Sequence, residues 1–243
     1  MMEAMKDAAN LTIALIQIKR WHWCCLLFFY LCCGCNQSSR YDNLVLTKED
    51  SAKTILFIKK AFAKINTAQN DIQNGDIITR VGNDFTSECL RQINVRNKTW
   101  SHCGIASIEH DSVFIYHALG GEFNPDEQLR RDNLPVFANP AGNRGMGIFR
   151  QQLSGKELQA LLITVKKLYA AGVMFDMKFD LQTDERMYCA EFVYKTFLWA
   201  TKQRIHFNTS KVKEKIFIGV DDIFLYPGCS MVETIFYKDQ YKK

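Results

Sequence analysis

The sequence predicts an α+β fold, in which an antiparallel sheet packs against helices. Stretches with apolar residues at helical spacing are interspersed with short β-rich runs, and two of these runs flank the two-residue turn His110-Asp111. Helices combined with hairpin-linked strands in this order are typical of α+β proteins. The chain has 243 residues, of which 47% are hydrophobic and 23% are charged. This composition excludes a disordered chain and a multi-span membrane protein.

The net charge is small and does not indicate a nucleic-acid partner. Lys and Arg together number 31 against 26 Asp and Glu, which leaves +5. A nucleic-acid-binding protein usually carries a dense basic stripe. The longest basic stretch here, 211–215, is interrupted by Val212 and Glu214. We therefore expect no nucleic-acid binding.

The first 35 residues have the features of an export signal. An uncharged run over 21–34 follows Lys19 and Arg20 and ends immediately before Cys35. This run is shorter than the roughly 20 residues that span a bilayer, but it suits the hydrophobic core of a signal peptide. Its end resembles a bacterial lipobox, in which a cysteine after a small residue becomes the lipidated N-terminus. We predict a lipoprotein-type signal peptide over 1–34, lipidation of Cys35, a tether over 35–46 and a membrane-anchored location at the bacterial cell envelope.

The alternative for this segment is an uncleaved membrane anchor over 11–35. Lys19 and Arg20 would then lie in the middle of the span, where charged side chains are costly. Beyond Cys35 only four scattered cysteines remain, which is too few for a disulfide framework in a domain of this size. They are Cys89, Cys103, Cys189 and Cys229.

The rest of the chain, 47–243, is predicted to form one domain. Thr47 and Asp50 resemble a capping box ahead of a helix of about 16 residues. Asn74-Gly75 is a turn signal before a strand over 76–81. The segment after this strand is predicted to be a polar loop through residue 98. The hairpin strands then cover 102–109 and 112–119.

The second half of the domain begins with a polar segment over 120–143. A loop of this length in a compact domain is usually functional, so we expect it to bind ligand or cover the site. A strand is predicted over 145–150. Ser154 caps a helix with an apolar face, and a further helix covers 189–202. Strands over 215–220 and 231–237 are predicted to close the sheet.

Cys189 is the first candidate for chemistry because it stands at the start of a helix. The positive end of the helix dipole favours the thiolate over the thiol. A loop-to-helix corner also offers backbone N–H groups to a developing oxyanion. The alternative is that Cys189 is a small buried hydrophobic residue, which is the usual role of a single cysteine.

Two histidines on the hairpin strengthen the interpretation of Cys189 as a nucleophile. A two-residue turn at His110-Asp111 pairs His102 with Leu119, so His117 lies on the same face as His102. Diagonal neighbours of this kind lie roughly 5.5–8 Å apart at Cβ. One imidazole can then act as the base while the other orients it. His102 or His117, taken alone, could instead be an ordinary sheet residue. For the third histidine of the hairpin, His110 at the turn, we prefer that interpretation.

A zinc site is the weaker interpretation of the same residues. His102, Cys103, His110 and His117 are close in sequence. Consecutive residues of a strand point to opposite faces, so His102 and Cys103 do not easily share a metal. The sequence also has no C-x-x-C pair outside the signal segment and no H-x-x-x-H on a helix. We expect no metal and no cofactor.

Several motifs in order resemble one family. They are Gly75-Asp76-Ile77-Ile78, Ser101-His102-Cys103-Gly104-Ile105, Tyr116-His117-Ala118, Phe175-Asp176-x-x-Phe179-Asp180 and Tyr188-Cys189-Ala190-Glu191-Phe192-Val193. Over about 75–226 the set resembles the YiiX-like permuted papain amidases, a branch of the NlpC-type cysteine hydrolases. The resemblance implies a circularly permuted papain-like fold. It also implies that Cys189 is the nucleophile, His102 the base and His117 its orienting partner.

Two positions depart from the family pattern. Cys103 stands where an apolar or β-branched residue is commoner, and His117 stands where some members have Glu. A histidine at this position is found in relatives of lecithin–retinol acyltransferase, so it leaves amidase and acyltransferase activity open. The expected chemistry is acyl transfer through a Cys189 thioester, on a cell-wall peptide or a lipid amide or ester. The alternative is a non-catalytic envelope lipoprotein that binds a peptide or acyl chain.

Overall fold

The computed structural model describes residues 48–121, 124–212 and 214–238. The predicted signal peptide over 1–34, the lipidation site Cys35 and the tether over 35–46 lie outside the described residues. Within these ranges, no helix has both the length and the apolar character needed to cross a bilayer.

One six-stranded antiparallel sheet forms the centre of the domain, in the order β4-β3-β2-β1-β5-β8. Its strands are β1 (Ile77–Gly82), β2 (His102–Glu109), β3 (Ser112–His117), β4 (Arg130–Asn133), β5 (Asn143–Gln151) and β8 (Cys229–Phe236). A separate two-stranded sheet consists of β6 (Ser210–Val212) and β7 (Lys215–Phe217). The fold is therefore α+β with an antiparallel sheet, as the sequence predicts.

Helices lie along the chain between these strands. They are α1 (Lys48–Ala68), α2 (Phe85–Ile93), α3 (Leu134–Phe137), α4 (Gly155–Ala170), α5 (Cys189–Ala200) and α6 (Val220–Phe224). A short 3-10 helix, Gln69–Asp71, follows α1. The predicted caps are present at α4, where Ser154 and Glu157 form a full capping box.

Two hydrophobic cores cover the two faces of the sheet. One core includes Leu161 of α4 and Phe192 of α5, and we name its side of the sheet the α5 face. The other includes Ile65 of α1 and Phe137 of α3, and we name its side the α3 face. Strand residues alternate between the two cores, as a pleated strand requires. Both faces of the central strands are therefore buried.

The hairpin between β2 and β3 has the predicted register. His110 and Asp111 both have positive φ, at 49° and 61°, which is typical of a two-residue type I′ turn. Glu109 then pairs with Ser112, and Ile105 pairs with Tyr116. His102 and His117 consequently belong to the same face of the sheet.

Three predicted segments differ from the structure. The polar loop after β1 contains α2, an exposed helix capped by Asp84, whose side chain accepts from the Ser87 backbone N–H. The long segment over 120–143 contains α3 and β4, and β4 is an edge strand of four polar residues with no apolar alternation. The strand predicted over 215–220 ends at Phe217 and pairs with β6 instead of closing the main sheet.

Candidate active site

His102 and His117 are in direct contact on the α3 face. His102 is the first residue of β2 and His117 is the last residue of β3. The Nε2 atom of His102 lies 2.8 Å from the Nδ1 atom of His117. Both rings pack against Phe137 of α3, with centroids 5.8 and 5.0 Å away. The hairpin register therefore brings the two predicted histidines together.

Asp132 extends this contact into a chain of three side chains. Its Oδ2 atom lies 3.1 Å from the Nε2 atom of His117. The Arg130 guanidinium also contacts the Asp132 carboxylate, at 3.0 Å. Asp132 lies on β4, within the segment that we predict to be a loop. Sequence analysis missed it, because nothing in four consecutive polar residues indicates which one meets His117.

Burial keeps both imidazoles neutral at pH 7. It lowers the pKa of His117 to about 4, although the hydrogen bond to Asp132 acts in the opposite direction. Burial, and then the charge of Arg80, hold the pKa of His102 well below 6.5. Burial alone would raise the pKa of Asp132, but hydrogen bonds from His117 and Arg130 lower it to about 2. Asp132 is therefore ionised.

These protonation states determine which ring nitrogen of His102 and of His117 carries the proton. A carboxylate only accepts hydrogen bonds, so the His117 Nε2 atom carries a proton and donates it to Asp132. The Nδ1 atom of neutral His117 is then an acceptor, and the Nε2–H of His102 donates to it. The remaining nitrogen of His102, Nδ1, has a free lone pair. His102 is thus prepared to act as a base through Nδ1.

Local structure fixes the start of α5, where Cys189 is the first helical residue. The backbone N–H of Tyr188 donates to the Glu191 carboxylate at 3.2 Å. The Tyr188 hydroxyl accepts the backbone N–H of Ile218 at 2.8 Å. Earlier in this segment, the Asp176 carboxylate accepts the backbone N–H groups of Lys178 and Asp180. The motif Phe175-Asp176-x-x-Phe179-Asp180 therefore shapes the loop that leads to Cys189.

The surroundings of the Cys189 sulfur favour the thiolate. A hydrogen bond from the Cys103 side chain lowers the pKa of the Cys189 thiol, whereas burial raises it. The backbone N–H groups of Cys103 and Ala190 and the charge of Arg80 lower it further. The net shift is downward from the usual value for a cysteine. This is the direction that a nucleophilic cysteine needs.

The structure places Cys189 in the same hydrophobic core as Cys103, the residue that follows His102. Cys103 and Cys189 both belong to the core of the α5 face, whereas the two histidine rings contact Phe137 on the α3 face. Within the described ranges, no hydrogen bond joins the Cys189 thiol to the His102 imidazole.

Arg80 is a further charged residue of the site that sequence analysis missed. It lies on β1 directly across from His102 on β2. Its guanidinium donates to the Phe137 carbonyl at 3.0 Å and lies 4.9 Å from the centre of the Phe137 ring. Its positive charge lowers the pKa of both His102 and Cys189. Arg80 therefore favours a neutral His102 together with an ionised Cys189.

Comparison with known proteins identifies the fold. No protein-family model and no curated protein matches the sequence. A solved structure of YiiX from Escherichia coli O157:H7, described as a metalloprotein, aligns with a TM-score of 0.56 and 20% sequence identity. The alignment covers 68% of this chain and 98% of that one. This chain has the YiiX fold. The YiiX fold is a circularly permuted papain-like fold, so the predicted fold class is confirmed.

The described residues of this YiiX-fold domain do not form a metal site. Among the residues that the structure describes, no group of three or more His, Cys, Asp and Glu side chains could hold a metal ion. Three of the four ring nitrogens of His102 and His117 are already hydrogen-bonded to each other or to Asp132. His110 lies in the exposed turn, away from this chain of hydrogen bonds.

Proposed function

We propose that this protein is a cysteine hydrolase of the amidase or peptidase type, which acts through a thioester on Cys189. The observation that carries the proposal is the hydrogen-bonded chain His102–His117–Asp132. It leaves the Nδ1 atom of His102 free to act as a base. The helix-start position of Cys189 and its lowered thiol pKa support the role of nucleophile.

The proposed reaction begins at the sulfur of Cys189. His102 Nδ1 takes the thiol proton, and the sulfur attacks the substrate carbonyl carbon. The carbonyl electron pair moves to oxygen, where the backbone N–H at Cys189 stabilises it. His102 returns its proton to the leaving group as the scissile bond breaks, which leaves the thioester. Water, deprotonated by His102, then hydrolyses the thioester and restores the thiol.

His117 and Asp132 support the base in this scheme. When His102 carries the extra proton, the imidazolium donates to His117, which in turn donates to the negative Asp132. The carboxylate thereby stabilises the transient charge without taking a proton. The substrate class is a cell-wall peptide or a lipid amide or ester, and a lipid acyltransferase would use the same residues. The competing proposal is a non-catalytic module that binds a peptide or acyl chain in the same place.

Acylation by a chromogenic ester separates a catalyst from a binding module. We expect the full chain to release p-nitrophenol from p-nitrophenyl butyrate, and acid quenching to trap a butyryl adduct on Cys189. Cys189→Ala should abolish both the release and the adduct, because the thioester has lost its sulfur. Cys89→Ala removes an exposed cysteine of α2 and is the matched control, which should keep both. An adduct on Cys89, or no adduct on the wild type, would contradict the proposal.

We also propose that the chain is exported and anchored in the cell envelope through a lipid on Cys35. The support is the uncharged run over 21–34, which ends immediately before this cysteine. We expect Cys35→Ala to lack the lipid mass and to leave the membrane fraction or accumulate as a precursor. Cys33→Ala is the matched control, since a cysteine inside the signal peptide is removed on cleavage. A Cys35→Ala protein that keeps the lipid mass would show that the anchor lies elsewhere.

A further inference from the structure

A cavity of about 750 Å³ is lined by residues of β5, α6, the edge strand β8 and the segment that follows α2. Its volume falls within the range of roughly 300–1,000 Å³ that is typical of small-molecule sites. None of its described lining residues belongs to the hydrogen-bonded chain His102–His117–Asp132. Cys189 is not among the lining residues either. The cavity is therefore separate from the candidate active site.

Much of the cavity lining is apolar, and this apolar surface continues from the protein interior to solvent. Trp100 and Phe149 are buried, whereas Leu225 and Met231 are 40% and 65% exposed. Trp100 stacks on Phe236 with ring centroids 5.6 Å apart, and it packs edge-on against Phe149. These rings therefore already pack against one another, and a methionine adapts to an irregular aliphatic ligand. A flexible hydrocarbon chain, which needs no free ring face, fits this lining better than a flat aromatic ligand.

The charged residues of the cavity lining all carry positive charge. They are Arg91, Lys98 and Arg144, and no Asp or Glu is among the described lining residues. Glu88 contacts two of these cations from outside the cavity, at 2.6 Å from Arg91 and 3.6 Å from Arg144. The Lys98 ammonium donates to the side-chain oxygen of Gln92, which is neutral and does not offset its charge. The cavity is therefore complementary to an anionic group.

We propose that this cavity is a binding site for an alkyl carboxylate, a ligand with a hydrocarbon chain at one end and a negative charge at the other. The chain would lie along the apolar lining that includes Leu225 and Met231, and the carboxylate would meet the cations that include Lys98. Hydrogen bonds between a cation and a carboxylate are stronger than those between neutral groups. The inference goes beyond the proposed function and does not depend on it, because binding requires no turnover at Cys189.

Equilibrium dialysis of the full chain against radiolabelled dodecanoate, below the concentration at which micelles form, tests the proposal. We expect saturable binding at one site per chain. Decanoate, which is shorter by two methylene groups, should compete about tenfold less well because less hydrocarbon is buried. Dodecanol and dodecyltrimethylammonium have the same chain without the negative charge and should compete at least about tenfold less well. Acetate, which has no chain, should not compete.

Two variants with matched controls locate the bound dodecanoate. Met231→Glu puts a carboxylate into the lining, and Lys98→Gln removes a cation, so each should weaken binding about tenfold. Ile216→Glu and Lys211→Gln are the matched controls, because both residues are exposed on the separate two-stranded sheet and neither lines the cavity. Both controls should bind dodecanoate as the wild type does. Met231 and Lys98 are exposed, and the competition series of the wild type does not depend on how well any variant folds.

The possible outcomes separate this inference from the proposed function. If dodecanol or dodecyltrimethylammonium competes as well as unlabelled dodecanoate, or decanoate binds as tightly, the inference is wrong. The same holds if Met231→Glu binds dodecanoate as well as Ile216→Glu does, since the ligand would then lie elsewhere on the chain. A butyryl adduct without dodecanoate binding would leave only the proposed function standing. Dodecanoate binding with this selectivity, but without any butyryl adduct, would support the cavity and contradict the hydrolase.

Discussion

At the scale of single residues, the direction of the hydrogen bonds gives the site its chemistry. Because Asp132 is ionised and can only accept, the Nε2 atom of His117 carries the proton. The Nδ1 atom of His117 then accepts from the Nε2–H of His102, which leaves the Nδ1 atom of His102 unprotonated. The sequence contains the three residues but not their tautomers, which depend on contacts between β2, β3 and β4. His117 therefore has two tasks, since it must accept from His102 and donate to Asp132.

This double task predicts how substitutions of His117 rank in activity. His102→Ala should lower the acylation rate by about 10²–10⁴-fold, because the base is lost. His117→Ala should cost less, since the base remains and loses only its orientation. His117→Gln should recover part of that loss, because its amide can accept from His102 and donate to Asp132. His117→Glu should recover less, because a carboxylate would lie beside the Asp132 carboxylate.

The measurement is the rate of p-nitrophenol release by each variant at pH 7. Circular dichroism of each variant serves as the control for folding. A ranking in which His117→Glu equals or exceeds His117→Gln would show that Asp132 does not accept a hydrogen bond from this position in the working enzyme.

At the scale of elements, the start of α5 positions Cys189, the proposed nucleophile. Glu191 is fully buried, accepts the backbone N–H of Tyr188 and lies 2.9 Å from the ammonium group of Lys195. Lys195 also contacts the Asp184 carboxylate at 2.7 Å. Burial raises the pKa of Glu191 to about 7, in spite of Lys195. Glu191 therefore links the first turn of α5 to the residue before the helix, Tyr188, and through Lys195 to the loop that contains Asp184.

We predict that Glu191 determines acylation as well as stability. Glu191→Ala removes the acceptor of the Tyr188 N–H and should lower the free energy of unfolding by about 1–2 kcal/mol. It should also slow acylation, because the first turn that holds Cys189 is loosened. Glu191→Gln keeps an acceptor oxygen and should be closer to the wild type. Thermal unfolding and p-nitrophenol release measure the two effects.

The capping box of α4 provides a matched control for this prediction. Glu157→Ala removes the equivalent carboxylate of that box, along with its ion pair to Arg204. It should reduce stability while leaving the acylation rate of the folded protein unchanged. Equal losses of acylation in Glu157→Ala and Glu191→Ala would mean that the start of α5 has no special role.

At the scale of the whole molecule, local patterns were predictable from the sequence and long-range contacts were not. The turn at His110-Asp111 and the strand alternation fix the pairing of β2 with β3, so the histidine contact follows from neighbouring residues. Asp132 lies on a short polar edge strand, and such a strand carries no pattern of burial. The strand alternation does place Cys103 on the face opposite His102. It does not show that Cys189 of α5 packs into the same core as Cys103.

The two buried histidines also predict how the stability of the whole domain depends on pH. Folding lowers the pKa of His117 from 6.5 to about 4, and that of His102 shifts in the same direction. Between these values the unfolded chain binds more protons than the folded one, so stability rises with pH. The stabilisation is therefore complete above pH 6.5 and is lost as the pH falls toward 4. For His117 alone the loss is on the order of 3 kcal/mol.

Urea unfolding of the full chain between pH 7 and pH 4 measures this loss. We expect the free energy of unfolding to fall steadily over this range in the wild type. His117→Gln removes one of the two buried imidazoles, so its curve should be flatter. His206→Gln is the matched control, because His206 is an exposed histidine, and its curve should keep the slope of the wild type. Equal slopes for His117→Gln and the wild type would show that the fold does not hold His117 neutral. The tautomers assigned to His102 and His117 would then have no basis.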